Sequence, residues 1–185
     1  MKKISEKILF EGNWLLFKES TFLSHNGKEI KWEIIERKNN GTVLIIMAKL
    51  LPSNRYVLIR QYRPAINNYI IGFPAGVTDD DNIAEEALKE LKEETGYTGE
   101  IISISPILKI NPGIMNINAH IVIVEIDEKN PLNKNPEQSL EPSEEIEVIL
   151  KTKKDIKEFL LQEIKKGHEI GIGLWYVFGI NPFSD

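Results

Sequence analysis

The sequence predicts an α/β fold in which a small N-terminal β-region precedes a domain that mixes strands with helices. Three observations carry this expectation. Strand-like runs dominate the chain up to Phe73, an acidic helix follows Pro74-Ala75-Gly76, and a second amphipathic helix comes after three further strands.

Trp14 to Leu23 and Lys28 to Arg37 read as extended stretches joined by Ser24-His25-Asn26-Gly27. Asn-Gly between such runs is a hairpin signal, because both residues tolerate φ > 0. Asn39-Asn40-Gly41 breaks the chain and sets the predicted boundary between an N-terminal β-region, 1–41, and a main domain, 42–185. Thr42 to Leu50 and Arg55 to Tyr62 are apolar and β-branched, with Leu51-Pro52-Ser53-Asn54 as the turn. Tyr69 to Phe73 is a short strand running into Pro74-Ala75-Gly76. A helix is predicted over Asn82 to Thr95, stopped by Gly96. Glu100 to Ile110, Asn118 to Ile126 and Glu145 to Leu150 are the next strands. Between the last two lies a polar loop, Asp127 to Glu141, long enough to be functional or mobile. Lys153 to Lys166 places Ile156, Phe159, Leu160 and Ile164 on one side of a helix, and the apolar tail from Glu169 to Gly179 is also predicted helical.

Composition narrows the function classes. The 185 residues carry a formal net charge of −5 and no basic stripe, which argues against nucleic-acid binding through phosphate contacts. The absence of cysteine excludes disulfides, thiolate catalysis and cysteine-based zinc sites. The longest apolar run, Val43 to Ala48, is far short of the ~20 residues of a membrane helix, and no apolar core follows the charged N-terminus. A soluble, cytoplasmic protein without membrane or nucleic-acid partners is expected.

The chemistry is concentrated in the first helix. At ~100° per residue, Glu86, Glu90, Glu93 and Glu94 share one arc, while Ala84, Leu88, Leu91 and Thr95 form a separate stripe predicted to be buried. Glu86 with Glu90 and Glu90 with Glu94 are like-charge pairs four residues apart, mildly destabilising unless a cation sits among them. Hard divalent ions suit such carboxylates, completing their shell with phosphate oxygens and water. An acidic helix face taken alone is ordinarily solvated surface, with Lys89 and Lys92 as neutralising neighbours.

The context points further. Lys89-Glu90-Leu91-Lys92-Glu93-Glu94-Thr95-Gly96-Tyr97, preceded by Pro74-Ala75-Gly76, closely resembles the Nudix box. That pattern runs Gly, five residues, Glu, seven residues, then Arg-Glu-aliphatic-x-Glu-Glu-x-Gly-aliphatic; Glu90, Leu91, Glu93, Glu94 and Gly96 stand in its positions. The resemblance implies the Nudix fold, a mixed sheet sandwiched between helices. It also implies Glu90 and Glu94 as the main ligands of Mg2+, for which Mn2+ can substitute, with Glu93 assisting metal and catalysis and Ala75 offering a backbone carbonyl. There are departures: Lys89 stands in place of Arg and lacks its planar fork. The stretch from Gly76 to Lys89 is one residue short, Asp81 stands where the upstream Glu belongs, and Gly72 occupies a position usually held by Glu.

Arg60-Gln61-Tyr62-Arg63-Pro64-Ala65 and Pro112-Gly113-Ile114-Met115-Asn116 are similar to the ADP-sugar pyrophosphatase branch of that family. In that branch, two tryptophans from the two subunits of a swapped homodimer sandwich adenine, and Trp14 and Trp32 match them. Base stacking on an indole is physically apt, though a lone strand tryptophan is more often core. The resemblance assigns Arg63 to the diphosphate, Arg37 to a second substrate contact, and the general base to the segment Ser143 to Val148. Glu144 is the best match there, with Glu141 and Glu145 as competitors. The implied reaction is Mg2+-dependent hydrolysis of a nucleotide sugar, ADP-ribose or a close ADP-sugar. The alternatives are another nucleotide (a GDP-sugar, a dinucleoside polyphosphate, an oxidised nucleotide) or a catalytically weak nucleotide-sensing module.

Overall fold

The computed structural model describes residues 1–179, so the last six positions of the predicted 42–185 domain lie outside the described residues. In chain order the strands are β1 (Lys2–Glu11), β2 (Leu15–Leu23), β3 (Glu29–Arg37), β4 (Thr42–Leu51), β5 (Arg55–Arg63) and β6 (Asn68–Gly72). They continue with β7 (Ala75–Thr78), β8 (Glu100–Ile104), β9 (Leu108–Lys109), β10 (Asn118–Asp127), β11 (Ile146–Thr152) and β12 (Glu169–Ile170). The two long helices are α1 (Ile83–Thr95) and α2 (Lys153–Lys165). The chain divides into two compact units.

The first unit comprises Met1–Val43, Val77–Asp81 and Ser105–His120. It contains an antiparallel sheet of order β1-β2-β3. The turn after β2 is the predicted Asn-Gly hairpin, closed by Gly27 N–H to Ser24 O at 3.1 Å. The sequence reading did not anticipate β1, whose alternation is hidden by Lys2, Lys3, Glu6 and Lys7. The loop around Gly113 packs along β3, with Ile35 N–H donating to Ile114 O at 2.8 Å.

The second unit comprises Leu44–Gly76, Asn82–Ile104 and the chain from Ile121 onward. Its sheet runs β12-β6-β5-β4-β10-β8, with β11 also pairing with β5 and β7 with β4. β12 is parallel to β6, whereas β5 is antiparallel to β6 and β11, so the sheet is mixed. Successive side chains of a strand point to opposite faces, and β4 shows the consequence. Leu44, Ile46, Ala48 and Leu50 join Val57, Val122, Val124 and Ile126 beneath Ala87 and Leu91 of α1. Ile45 and Met47 turn to the other face, where Leu58, Ile71, Phe73 and Ile149 meet Ile156 and Leu160 of α2. The sheet is therefore sandwiched between α1 and α2, and each fully buried Leu or Ile contributes roughly 1.5–3 kcal/mol. No helix among the described residues is long and apolar enough to cross a membrane.

Four expectations need correction. The predicted strand Glu100 to Ile110 is two strands, β8 and β9, parted at Ser105-Pro106-Ile107, where Pro106 has no N–H for a ladder. The tail expected to be wholly helical starts as β12 and becomes helical only from Ile172. The buried stripe of α1 runs through Ala87 rather than Ala84, and Glu94, placed on the polar arc, is itself buried at 1 % exposure. Within the loop from Asp127 to Glu141, which was expected to be functional or mobile, the Asn133 amide donates to Thr98 O and Asp127 O, both at 2.9 Å.

Candidate active site

Helix α1 begins where the side chain of Asn82 accepts the N–H of Glu85 and ends at Gly96, which has a φ of 77°. A Cβ at Gly96 would also meet Glu137 N at 2.4 Å and Pro136 C at 2.6 Å, so glycine is required twice over. The last carbonyls of a helix lack intrahelical donors, and here the loop after β10 supplies them. Ser139 N–H donates to Glu93 O at 2.9 Å, and the Gln138 amide to Glu94 O at 2.6 Å.

The helix presents its acids to the turn between β6 and β7. The backbone N–H of Ala75 donates to Glu94 Oε2 at 2.9 Å. Gly76 lies against Glu90, and a Cβ there would fall 2.1 Å from the Glu90 carboxyl carbon. Burial, together with the charges of Glu90 and Glu144, pushes Glu94 up to about 8; the Ala75 N–H and the Arg63 guanidinium oppose the rise. Glu90 is raised to about 6, again mainly by burial, then by Glu93 and Glu144. Lys89 is held protonated above the ordinary lysine range by Glu86 and Glu93, and its ammonium lies 3.5 Å from Glu86.

Ala75, Arg63, Glu90, Glu93, Glu94 and Glu144 thus all belong to the second unit, and the Glu144 charge is close enough to raise the proton affinity of both Glu90 and Glu94. Glu144 is half-buried, and its carboxylate accepts the Glu141 N–H at 2.9 Å. Its competitors are placed differently: Glu145 bonds the Tyr69 hydroxyl, and Glu141 is exposed.

Trp14, Trp32 and Arg37 belong to the first unit. Trp14 is 78 % exposed and lines, with Arg37, Asn13 and Asp79, a cavity of about 300 Å³. Trp32 lines a separate cavity, its indole N–H donating to Gly113 O at 2.7 Å. Neither indole is packed in a core. The Nε of Arg37 is buried and has no hydrogen-bond partner.

Against known proteins, the chain is 34% identical over 160 residues to the ADP-sugar pyrophosphatase of Mus musculus, an overlap covering 82% of this chain and 73% of that one. It is 32% identical over 171 residues to an uncharacterized Nudix hydrolase of Schizosaccharomyces pombe, covering 89% and 83% of the two chains. The chain belongs to the Nudix hydrolase family. No family model matches it. Among solved structures, a protein described as an ADP compounds hydrolase superposes with a TM-score of 0.65 at 20% identity, over 90% of this chain and 96% of that chain. That likeness establishes the Nudix fold.

Nudix hydrolases generally use divalent metals, and the second unit fits one. Its acids are oxygen donors of the kind hard cations prefer, and their crowding is opposed by few positive charges. Among the described residues no three acidic or histidine side chains converge into a ready-made cage. Two residues that shape this Nudix site, Tyr69 and Gln138, escaped the sequence reading. Tyr69 acts through one hydroxyl hydrogen bond to Glu145, and Gln138 through two, to Glu94 O and Ile146 O, from an otherwise ordinary strand and loop, and no pattern in the sequence marks them.

Proposed function

We propose that this Nudix hydrolase cleaves the diphosphate of ADP-sugars, ADP-ribose being the representative substrate, to AMP and a sugar phosphate. The enzyme works in the cytoplasm as a homodimer, without nucleic-acid or membrane partners. Residues 1–41 serve dimerisation and substrate contact, and 42–185 carry the chemistry. Mg2+ is the native ion and Mn2+ an effective substitute. The observation that carries the reading is the pairing of a desolvated Glu94 with Glu90 beside Glu144, facing the Ala75 turn.

Glu90 and Glu94 would hold the cation, Glu93 would assist, and the Ala75 carbonyl would complete the protein's share. When bound, the ion neutralises charge on the diphosphate and makes water a better nucleophile. Arg63, exposed at the end of β5 and already felt by Glu94, offers a guanidinium fork to phosphate oxygens. Glu144 accepts one proton from the attacking water as its oxygen bonds to phosphorus. The bridging P–O bond breaks, and the departing phosphate keeps the electron pair. Positioning and charge stabilisation supply most of the rate. In the first unit, the Trp14 face beside the Arg37 cation suits a base next to a phosphate.

The deciding experiment is a panel of ADP-, GDP- and UDP-sugars, dinucleoside polyphosphates and oxidised nucleotides, incubated with Mg2+ or Mn2+ and resolved by chromatography. Turnover of ADP-ribose to AMP and ribose 5-phosphate, at the highest kcat/KM of the panel, is expected. Preferred turnover of a GDP-sugar would overturn the adenine assignment. Tight binding with no turnover of any compound would make the chain a nucleotide sensor.

A further inference from the structure

The loop from Asp127 to Glu141 joins two parts of the proposed chemistry through one side chain. The Gln138 amide nitrogen donates to Glu94 O at 2.6 Å and to Ile146 O at 3.2 Å. Glu94 O belongs to the last turn of the helix that bears the acids, and Ile146 is the first residue of β11, two positions after Glu144. One planar NH2 group therefore spans the helix and the root of the Glu144 segment. The neighbouring Ser139 N–H fixes the same end of the helix through Glu93 O at 2.9 Å. On the far side, Tyr69 bonds Glu145, and Tyr62 N–H donates to Glu145 O at 3.2 Å. The Glu144 segment is thus tied to β5 and β6 through Glu145 and to α1 through Gln138.

We infer that Gln138 is a positioning residue for hydrolysis, setting the spacing between the Glu90–Glu94 helix and the Glu144 base by clasping Glu94 O and Ile146 O. The inference rests on the proposed hydrolase function. Gln138 touches no reacting atom in this role. Gln138 is itself exposed while its two acceptors belong to the buried Glu94 and Ile146, so Gln138→Lys, which keeps a donor, separates loss of the clasp from loss of stability. A small displacement of a reacting group is costly to rate, whereas ground-state binding through other residues is spared.

The test compares Gln138→Met, which keeps length and loses the donor, with Gln138→Lys, which restores a donor-only group able to reach two carbonyls. ADP-ribose turnover with Mg2+ is measured for parent and both variants, alongside amide hydrogen exchange. Gln138→Met is expected to lower kcat roughly five- to tenfold with KM within about twofold of the parent. Exchange should quicken over residues 139–146 and stay unchanged in the middle of α1. Gln138→Lys should recover most of the lost kcat. Parental kcat in Gln138→Met overturns the inference, as does a raised KM at constant kcat, or an equal loss in Gln138→Lys. A parent inactive toward every ADP-sugar removes the hydrolase reading itself and the inference with it; an active parent with an indifferent Gln138→Met removes the inference alone.

Discussion

The carboxylate of Glu94 and the backbone N–H of Ala75 are joined at 2.9 Å across 19 positions of chain. The bond locks the turn after β6 to the helix that follows it, and it uses one carboxylate oxygen while leaving the other open. Glu94→Gln preserves size and an acceptor for Ala75 but removes the anion. Activity on ADP-ribose should fall by roughly 10²–10³, the usual loss when one charge-stabilising group at a reacting centre is removed. Thermal melting in chelator should stay near the parent's. Parental turnover in a variant that melts normally would remove Glu94 from the metal assignment.

The same residue makes the metal-free protein sensitive to pH in a stated direction. Folded Glu94 sits near 8 and Glu90 near 6, each above the ordinary 4.5. Between those values the folded chain holds protons that the unfolded chain has released, so this contribution to stability is present at low pH and lost as pH rises. The melting temperature in chelator should drop between about pH 5 and pH 8.5 more steeply for the parent than for Glu94→Gln. A divalent ion should reverse the drop at the alkaline end while releasing protons. Equal slopes for the two proteins in calorimetry would contradict the burial of this carboxylate.

Glu144→Gln should slow turnover and leave substrate affinity nearly unchanged, since a base acting on the attacking water works in the chemical step. A loss of ten- to a hundredfold or more in kcat is expected. The resting carboxylate bonds the Glu141 N–H, which glutamine can retain, so loop geometry is conserved in the comparison. Weakened affinity at constant kcat would make Glu144 a binding residue, and full activity would pass the base role to Glu141 or Glu145.

Trp14→Ala and Trp32→Ala should each weaken ADP-ribose binding by about 1–3 kcal/mol, the worth of one stacked base. Ribose 5-phosphate, which has no base, should be indifferent to both. The two indoles line separate cavities, and the proposed clamp takes one ring from each of two copies. Dilution should then weaken binding in step with dissociation of the dimer. Calorimetric titration that finds either variant unchanged would remove that ring from the clamp.

Most of the architecture was legible because its signals are local. The Asn26-Gly27 hairpin, the Gly96 stop and the alternation of β4 each follow from a few neighbouring residues. The burial of Glu94 was not legible: helical phase placed it among its fellow acids, and only the approach of the Ala75 turn encloses it. The same holds for Gln138, whose partners lie 44 and 8 positions away in sequence. β1 was missed because Lys2, Lys3, Glu6 and Lys7 break up the apolar series of Ile4, Ile8 and Phe10.

That charge-studded strand has a bearing on how the protein behaves in crowded solution. β1 is an outer member of its sheet, so one row of its peptide groups is open to an incoming strand from another molecule. Lys2, Lys3, Glu6 and Lys7 confront any such newcomer with charge, and register irregularities between Lys3 and Ser5 and between Ile8 and Phe10 spoil the even ladder it would need. Encounters along this edge are thereby steered away from runaway fibre growth.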